Sequence, residues 1–314
     1  MSDNVTIDTI GPVDHTTRSS VDVADIYYRE SMVDLVSVFG NEVRRRLRET
    51  ALLLFTPDAI VSRQVTAGLR LVEQAGFTPV AAALVRLTRH VHRDVWRREL
   101  FEMSLDRVAA GERLLGFTDS IAVLLVERGR GSALAASERL TTLKGRGEPR
   151  YRAQGTLRAS LDSPNSLFRL IHTADRPGEL VRELGILFPP EERLRLLRDV
   201  RRCRPLPGAR LEELAGRARS PVGEHRLDTA EPLRRAAALV EVAVRATPAD
   251  RVRRAFQRQL AALSAGRPVS SRRLCDTALA AGLPLDPWDV VALSALAVCV
   301  QEAAGLAAAD GRAG

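Results

Sequence analysis

The sequence contains few cysteines, few aromatic residues and almost no lysine. Its three cysteines, Cys203, Cys275 and Cys299, stand far apart without C-x-x-C spacing, so neither a disulfide framework nor a zinc site is indicated. Aromatic residues make up 4% of the chain and do not alternate with basic residues, which argues against base stacking on nucleic acid. Lys144 is the single lysine, so the net charge of +8 comes from arginine. This bias is typical of a GC-rich genome, and we do not expect nucleic-acid binding.

No apolar run is long enough to indicate a membrane span, which needs about 20 residues. The longest candidate, Val290–Val300, contains Ser294 and is followed by Gln301 and Glu302, a pattern that favours a buried helix. Residues 1–20 lack the basic start and the apolar core of a secretory signal. We therefore expect a cytoplasmic protein without a membrane partner.

Several common catalytic motifs are missing as well. The sequence has no G-x-x-x-x-G-K-[ST], and neither Gly129-Arg130-Gly131 nor Gly145-Arg146-Gly147 extends to G-x-G-x-x-G after a strand. H-E-x-x-H and G-x-S-x-G are also absent. These absences argue against P-loop and Rossmann enzymes, zinc metalloproteases and α/β-hydrolases, and we assign no residue to a metal site.

The patterning divides the chain into three parts. Residues 1–30 lack sustained periodicity and predict a poorly ordered arm. Residues 31–190 begin with an amphipathic lead-in helix over Ser31–Arg48 and continue with alternating strands and helices. After the Pro189-Pro190 break, residues 191–314 show only helical periodicity and predict a C-terminal all-helical domain.

The central part predicts an α/β (α+β) fold. Four apolar runs are typical of strands: Ala51–Phe55, Phe77–Leu87, Ile121–Val126 and Leu167–Ile171. Helices are predicted over 59–75, 89–113, 132–142 and 177–187, with Trp96, Leu100, Phe101 and Leu105 on one face of the second. This order matches a ferredoxin-like β-α-β sandwich with an antiparallel sheet. Further helices are predicted near 191–203, 208–219, 228–246, 248–265, 270–281 and 286–308.

Five fragments carry a resemblance to a known family. In order they are Thr56-Pro57-Asp58-Ala59, Gln74-Ala75-Gly76-Phe77, the strand Ile121–Val126, Gly155-Thr156-Leu157-Arg158 and His172-Thr173-Ala174-Asp175. They resemble the nucleoside diphosphate kinase motifs Lys-Pro-Asp-Ala/Gly, the Gly-Phe that opens strand two, Gly-Thr-Ile-Arg and Asn-x-x-His-Gly-Ser-Asp-Ser. The resemblance covers a little under half of the chain.

The resemblance implies a phosphotransfer site around His172. The family's histidine takes the γ-phosphate of one nucleoside triphosphate and passes it to a diphosphate, and His172 occupies its place. Glu183 matches the downstream glutamate that orients the ring, and Arg158 matches the arginine that clamps phosphate. Asp175 matches the aspartate after the histidine. The resemblance also implies ATP or another nucleoside triphosphate with Mg²⁺, and a homo-oligomer.

The departures from the family concern the phosphate contacts. Thr56 replaces a lysine, Arg169 replaces an asparagine, and Ala174 replaces a serine. Counting back from Arg158 without gaps, a phosphate-binding arginine and threonine fall on Thr141 and Gly147. Three arginines of the same loop offer replacement charge: Arg146, Arg150 and Arg152. We still count Thr56, Arg158, Arg169 and Asp175 as candidate nucleotide- or phosphate-binding residues.

Two main hypotheses follow for the function. The first is a nucleotide-dependent phosphotransferase with a phosphohistidine intermediate on His172 and an altered substrate or a specialised biosynthetic role. The second is a catalytically inactive nucleotide-binding or protein-interaction module whose helical extension binds a protein partner. Polyanion binding through the arginine-rich surface is a third, weaker alternative. The aromatic residue that stacks on the nucleotide base is not identified; Trp96 and Phe101 are the candidates.

Overall fold

The computed structural model describes residues 24–127 and 133–310. Most of the predicted N-terminal arm and the Gly129-Arg130-Gly131 sequence lie outside these residues. The described chain forms two compact units. The first unit runs through Val95 and adds Thr118–Ser163 and Arg169–Glu224. The second unit combines Trp96–Phe117 and Pro164–Phe168 with the chain from His225 onward.

Four strands and sixteen α-helices are present in the described residues. The strands are β1 Thr50–Phe55, β2 Phe77–Val85, β3 Ser120–Glu127 and β4 Ile171–Thr173. The helices are α1 Ile26–Phe39, α2 Val43–Glu49, α3 Pro57–Val61, α4 Val65–Gln74, α5 Arg89–Val95, α6 Arg97–Leu100, α7 Leu105–Leu115, α8 Ala136–Lys144, α9 Leu157–Ser160, α10 Pro177–Leu187, α11 Pro190–Arg202, α12 Gly208–Arg219, α13 Ala230–Ala246, α14 Arg251–Ser264, α15 Ser271–Ala280 and α16 Pro287–Asp310. Short 3₁₀ turns cover Gly40–Glu42 and Pro149–Tyr151.

The strands form one antiparallel sheet in the order β2-β3-β1-β4, which confirms the predicted ferredoxin-like topology. The two central strands, β1 and β3, are buried along their whole length. Their nearly continuous apolar sequences are typical of strands that are covered on both faces. β4 lies at the edge, where His172 pairs with Leu54 of β1.

The fourth strand begins later than the predicted Leu167–Ile171. Leu170 has a φ of +66°, a left-handed conformation that interrupts an extended strand. Before it, the Asn165 side chain accepts hydrogen bonds from the backbone N–H groups of Leu167 and Phe168 and holds them in a turn. The strand therefore starts only at Ile171, which places His172 in the sheet.

The long helix predicted over 89–113 is divided into α5, α6 and α7. Ser104 interrupts it because its hydroxyl accepts a hydrogen bond from Arg107 N and caps a new helix. The prediction that these residues share one apolar face is wrong, because Phe101 and Leu105 are 86% and 68% exposed. The helix predicted over 59–75 is likewise divided, between α3 and α4, where Arg63 has a φ of +58°.

The lead-in helix α1 starts at Ile26 instead of Ser31. Asp25 caps it by accepting a hydrogen bond from Tyr27 N, and Gly40, with a φ of +54°, ends it. α1 packs on α10, where a Cβ added to Gly185 would overlap the Tyr27 carbonyl. The lead-in helix is thus part of the first unit.

The first unit extends beyond the boundary predicted at residue 190. α11 and α12 bury apolar side chains in it, among them Leu196, Leu197 and Leu211. The linker between these two helices donates from Leu206 N to the Pro79 carbonyl of β2. The Pro189-Pro190 sequence marks the start of α11 and not the end of a domain.

The second unit is helical: α13 to α16 pack on one another, and α15 and α16 pack against α7. The six helices predicted after residue 190 all form with similar bounds, and four of them belong to this unit. Trp288 stacks between Phe168 and His225, with ring centroids 5.5 and 5.2 Å away. By length and composition, Pro287–Ala307 of α16 could cross a membrane, and 39% of its most apolar window is buried within the structure.

Candidate active site

His172 and Glu183 form a hydrogen-bonded pair. β4 holds His172 against β1, and the neighbouring helix α10, which has Pro177 in its first turn, carries the buried Glu183. The His172 Nε2 atom is 3.0 Å from both carboxylate oxygens of Glu183. Because Nε2 faces a carboxylate, the neutral ring keeps its proton there and carries its lone pair on Nδ1. The structure therefore brings together the two residues predicted to act as nucleophile and orienting group.

Asp175 forms an ion pair with Lys144 beside this pair. Its Oδ1 atom accepts from Lys144 Nζ at 2.7 Å and from Thr141 Oγ1 at 2.9 Å, while Thr173 Oγ1 is 3.3 Å away. Burial lowers the pKa of Lys144, against the attraction of Asp175. Burial also favours the neutral form of Asp175, but Lys144 and the hydrogen bonds outweigh it and hold the pKa of that carboxyl below its usual range. The Asp175 carboxyl is therefore ionised at neutral pH.

Arg158 connects the backbone on both sides of this region. Its Nη1 donates to the carbonyl of Gly145 at 2.9 Å, and its Nη2 donates to the carbonyl of Ile171 at 2.8 Å. Its Nε is buried without a hydrogen-bond partner among the described residues. Burial, and then the charges of Arg169 and Arg152, lower the pKa of Arg158 to about 9, so the group stays cationic at neutral pH. Both terminal nitrogens of Arg158 thus donate to backbone carbonyls. The role of Arg158 in binding phosphate stays a prediction.

Arg169 lies against the loop that follows α8. A Cβ at Gly147 would be 3.0 Å from Cζ of Arg169, so the missing side chain at 147 makes room for the guanidinium. Arg169 Nη2 is 4.0 Å from Glu148 Oε1. Arg152 supports the same loop by donating to the carbonyls of Gly147 at 2.8 Å and Ser163 at 2.5 Å. Position 147 has glycine where the family has threonine, and position 169 has arginine where the family has asparagine. These two departures are structurally linked, because the glycine leaves space for the arginine.

Thr56 supports β4 from the end of β1. Its hydroxyl donates to Asp58 Oδ1 at 2.6 Å, and Leu170 N donates to Asp58 Oδ2 at 2.8 Å. Thr56 N in turn donates to the Leu170 carbonyl at 3.1 Å. Burial raises the pKa of Asp58, and these hydrogen bonds oppose the rise. The buried Thr56 side chain thus holds the left-handed Leu170 that leads into His172.

Sequence reasoning missed Lys144, Thr141 and Thr173 as site residues. Thr141 was interpreted as a lost arginine, yet it hydrogen-bonds both Thr173 and Asp175. The signal for Lys144 was its status as the single lysine among 47 basic residues. Trp96 and Phe101, the candidates for base stacking, belong to the second unit.

The described residues contain no group of three or more His, Cys, Asp or Glu side chains that is suited to hold a metal ion.

Over part of its length the chain is similar to proteins of one family. No protein-family model matches the chain. Over 158 residues the chain is 25% identical to the nucleoside diphosphate kinase of Pyrococcus furiosus, a match that covers 48% of this chain and 87% of that protein.

Solved structures of nucleoside diphosphate kinases are also similar to part of the chain. The apo nucleoside diphosphate kinase of Encephalitozoon cuniculi is 18% identical over 45% of this chain and 92% of its own, with a TM-score of 0.38. The Aquifex aeolicus enzyme is 19% identical over 45% and 95%, with a TM-score of 0.37. The Halobacterium salinarum enzyme in complex with CDP is 16% identical over 40% and 77%, with a TM-score of 0.34. The sequence match, the five ordered motifs and the sheet order together show that the chain carries a diverged nucleoside-diphosphate-kinase-like domain followed by a helical extension.

Proposed function

We propose that the first unit is a phosphotransferase that carries the terminal phosphate of ATP or another nucleoside triphosphate on His172. The observation that carries the proposal is the position of Glu183, whose two oxygens lie 3.0 Å from Nε2 of the ring. A buried carboxylate in this position fixes the tautomer and stabilises the positive charge that the ring gains when it is phosphorylated.

The proposed reaction has two steps. In the first, Nδ1 of His172 attacks the γ-phosphorus, the bond from that phosphorus to the β,γ-bridging oxygen breaks, and the nucleoside diphosphate leaves. In the second, an anionic phosphate oxygen of the acceptor attacks the phosphorus, the N–P bond breaks, and the neutral imidazole is regenerated. Glu183 keeps the Nε2 proton in place through both steps, so the protein does not need a separate base to regenerate the ring.

The cationic groups near His172 support a phosphate-bearing substrate. The Lys144 and Arg169 charges both interact with Arg158, and this cluster favours an anionic ligand. The departures at Thr56, Thr141 and Gly147 change the phosphate contacts of the family. We therefore propose an altered acceptor and a specialised, for instance biosynthetic, role in the cytoplasm, with assembly into a homo-oligomer.

A second candidate function is a catalytically inactive nucleotide-binding or protein-interaction module, in which the helical extension binds a protein partner. A specific observation favours it. Arg158 donates to two backbone carbonyls and Thr56 donates to Asp58, so two positions expected to contact phosphate are engaged inside the protein. In this case nucleotide binding would survive without transfer.

Labelling with γ-labelled ATP and Mg²⁺ tests the proposal. The wild-type chain is expected to acquire a phosphate that is labile in acid and stable in alkali, the profile of phosphohistidine. His172→Ala is expected to abolish the label. His90→Ala is the matched control, because His90 is exposed on α5 and is expected to leave labelling unchanged.

Labelling that survives His172→Ala would contradict the assignment of the nucleophile. A wild-type chain that binds ATP in calorimetry but is not labelled by any nucleoside triphosphate would favour the inactive module.

A further inference from the structure

Lys144 is a buried cation close to the His172–Glu183 pair. It is the last residue of α8, is 8% exposed, and pairs with Asp175 at 2.7 Å. Its charge interacts not only with Asp175 but also with Glu183, the hydrogen-bond partner of His172. α8 packs against β4, the strand that carries His172. The ammonium therefore belongs to the same charged cluster as the His172–Glu183 pair.

Arg158 fixes the backbone on both sides of this cluster. It binds the carbonyl of Gly145, which follows Lys144, and the carbonyl of Ile171, which precedes His172. These two bonds occupy its terminal amino groups. Gly145 itself has a φ of +79°, and an added Cβ would overlap the Thr156 side chain, so the turn after Lys144 has little freedom to move. The position of Lys144 relative to His172 is thus set by main-chain contacts.

The choice of lysine at this position is chemically informative. Every other basic side chain among the 47 is arginine. An arginine carries a planar fork of five donors, whereas the ammonium of lysine is a compact charge with three donors that rotate together. Among the described residues, one hydrogen bond of Lys144 is present, to Asp175, so two donors remain for a ligand. The ammonium of Lys144 can therefore bind a phosphate oxygen as a point charge.

We infer that Lys144 is the side chain that contacts the transferred phosphate, with Asp175 as its counter-ion before substrate binds. The inference rests on the proposed function. Thr141 and Thr173 hold the Asp175 carboxylate, so it stays in place when the ammonium turns toward a phosphate oxygen. Asp175 then competes with the phosphate for the same cation. Removal of Lys144 should therefore weaken nucleotide binding, and removal of the Asp175 charge should strengthen it.

The test compares Lys144→Gln and Lys144→Met with Asp175→Asn in the full chain. Calorimetric titration with Mg·ATP measures affinity, and single-turnover labelling measures the rate of phosphohistidine formation. Both Lys144 variants are expected to lose roughly tenfold to hundredfold in affinity or rate, as for a lost charge-assisted contact. Asp175→Asn is expected to bind Mg·ATP more tightly than the wild type, because the ammonium of Lys144 is then no longer held by a carboxylate. All three variants lose the ion pair, so thermal unfolding shows the structural effect common to them.

Parallel losses of Mg·ATP affinity in the Lys144 and Asp175 variants would overturn the inference, because a purely structural ion pair affects both in the same direction. Wild-type rates in both Lys144 variants would overturn it while leaving His172 as the proposed nucleophile. A wild-type chain that neither binds Mg·ATP nor becomes labelled would overturn the proposed function and the inference together. Lys144→Gln retains a donor to Asp175, and so provides the measurement even if Lys144→Met does not fold.

Discussion

Thr56 illustrates how a single side chain at the site has taken a structural role. A lysine at this position in the family's pattern would bring charge toward the nucleotide, but here the hydroxyl donates to the fully buried Asp58. Asp58 in turn holds Leu170, two residues before His172. The residue is therefore coupled to β4 through hydrogen bonds and not through charge.

Thr56→Lys is accordingly expected to lower stability and not to strengthen ATP binding. Loss of a buried hydrogen bond to a carboxylate costs about 1.5–3 kcal/mol, which urea unfolding can measure. Thr56→Ser keeps the hydroxyl and is the matched control. Tighter Mg·ATP binding by Thr56→Lys in calorimetry, at unchanged stability, would show instead that the site is a decayed form of the family's pocket. Weaker binding by Arg169→Asn in the same titration would support a rebuilt phosphate site.

The predictability of the site differs from residue to residue. His172 and Glu183 were found because the motif and its spacing along one strand and one helix are local features. The bonds of Arg158 were not predictable, because their acceptors at Gly145 and Ile171 are main-chain atoms brought close only by the fold. The same applies to Lys144, whose partner lies 31 residues further along the chain.

α10 is the element on which the orientation of Glu183 depends, and α1 covers it. The adjacent Arg182 donates to Asp25 Oδ2 at 2.8 Å and to the Asp94 carbonyl at 2.5 Å. On α11, Arg193 pairs with Asp34 of α1 at 2.7 Å. These contacts lock the lead-in helix onto the helix that carries the orienting carboxylate.

Gly185→Ala is expected to destabilise the first unit, because the new methyl group would overlap the Tyr27 carbonyl and lie 2.7 Å from Ser31 Oγ. Overpacking of this kind costs about 1–3 kcal/mol, which would appear as a lower melting temperature. Gly178→Ala on the same helix is the matched control, since an added Cβ there meets no atom within 4 Å. Equal melting temperatures for the two variants would show that α1 moves away at little cost.

Element types were predicted well, whereas several boundaries were not. The apolar runs of β1 and β3 are buried on both faces, so their sequence pattern is unambiguous. The start of β4 depends on the left-handed Leu170, which Asp58 stabilises from a distant part of the chain. The helix predicted over 89–113 ends before Ser104, because the Ser104 hydroxyl caps a new helix. The helical periodicity continues across this point, so the sequence pattern did not reveal the break.

At the scale of the whole molecule, the second unit is assembled from separate parts of the chain. Asp106 of α7 accepts hydrogen bonds from Ser270 Oγ at 2.8 Å, from Arg272 N at 3.0 Å and from Gln301 Nε2 at 2.9 Å. α7 therefore completes the cap of α15 and contacts α16. A boundary at residue 190 was predicted from a proline pair because sequence patterns do not reveal such discontinuous packing.

Limited proteolysis with trypsin is expected to cut the exposed segment between α12 and α13, after Arg226. The two fragments are expected to co-elute in size-exclusion chromatography, because one carries α7 and the other carries α15 and α16. Asp106→Ala, which removes the shared cap, is expected to let the nicked fragments separate more readily. Release of a soluble, isolated fragment ending near residue 190 would contradict this description, because it would lack the buried faces of α11 and α12.

α7 lies far along the sequence from α15 and α16, the helices that it packs against. This distance affects the order in which the protein folds during synthesis. Every element of the sheet has been made once Thr173 has left the ribosome, and the first unit is complete by Glu224. α7, which ends at Leu115, must wait for the chain beyond Ser271. At about 5–20 residues per second this delay is on the order of 8–30 s. During that time the buried side chains of α7, such as Leu114, lack their final neighbours, so this segment of the nascent chain exposes apolar surface that favours aggregation.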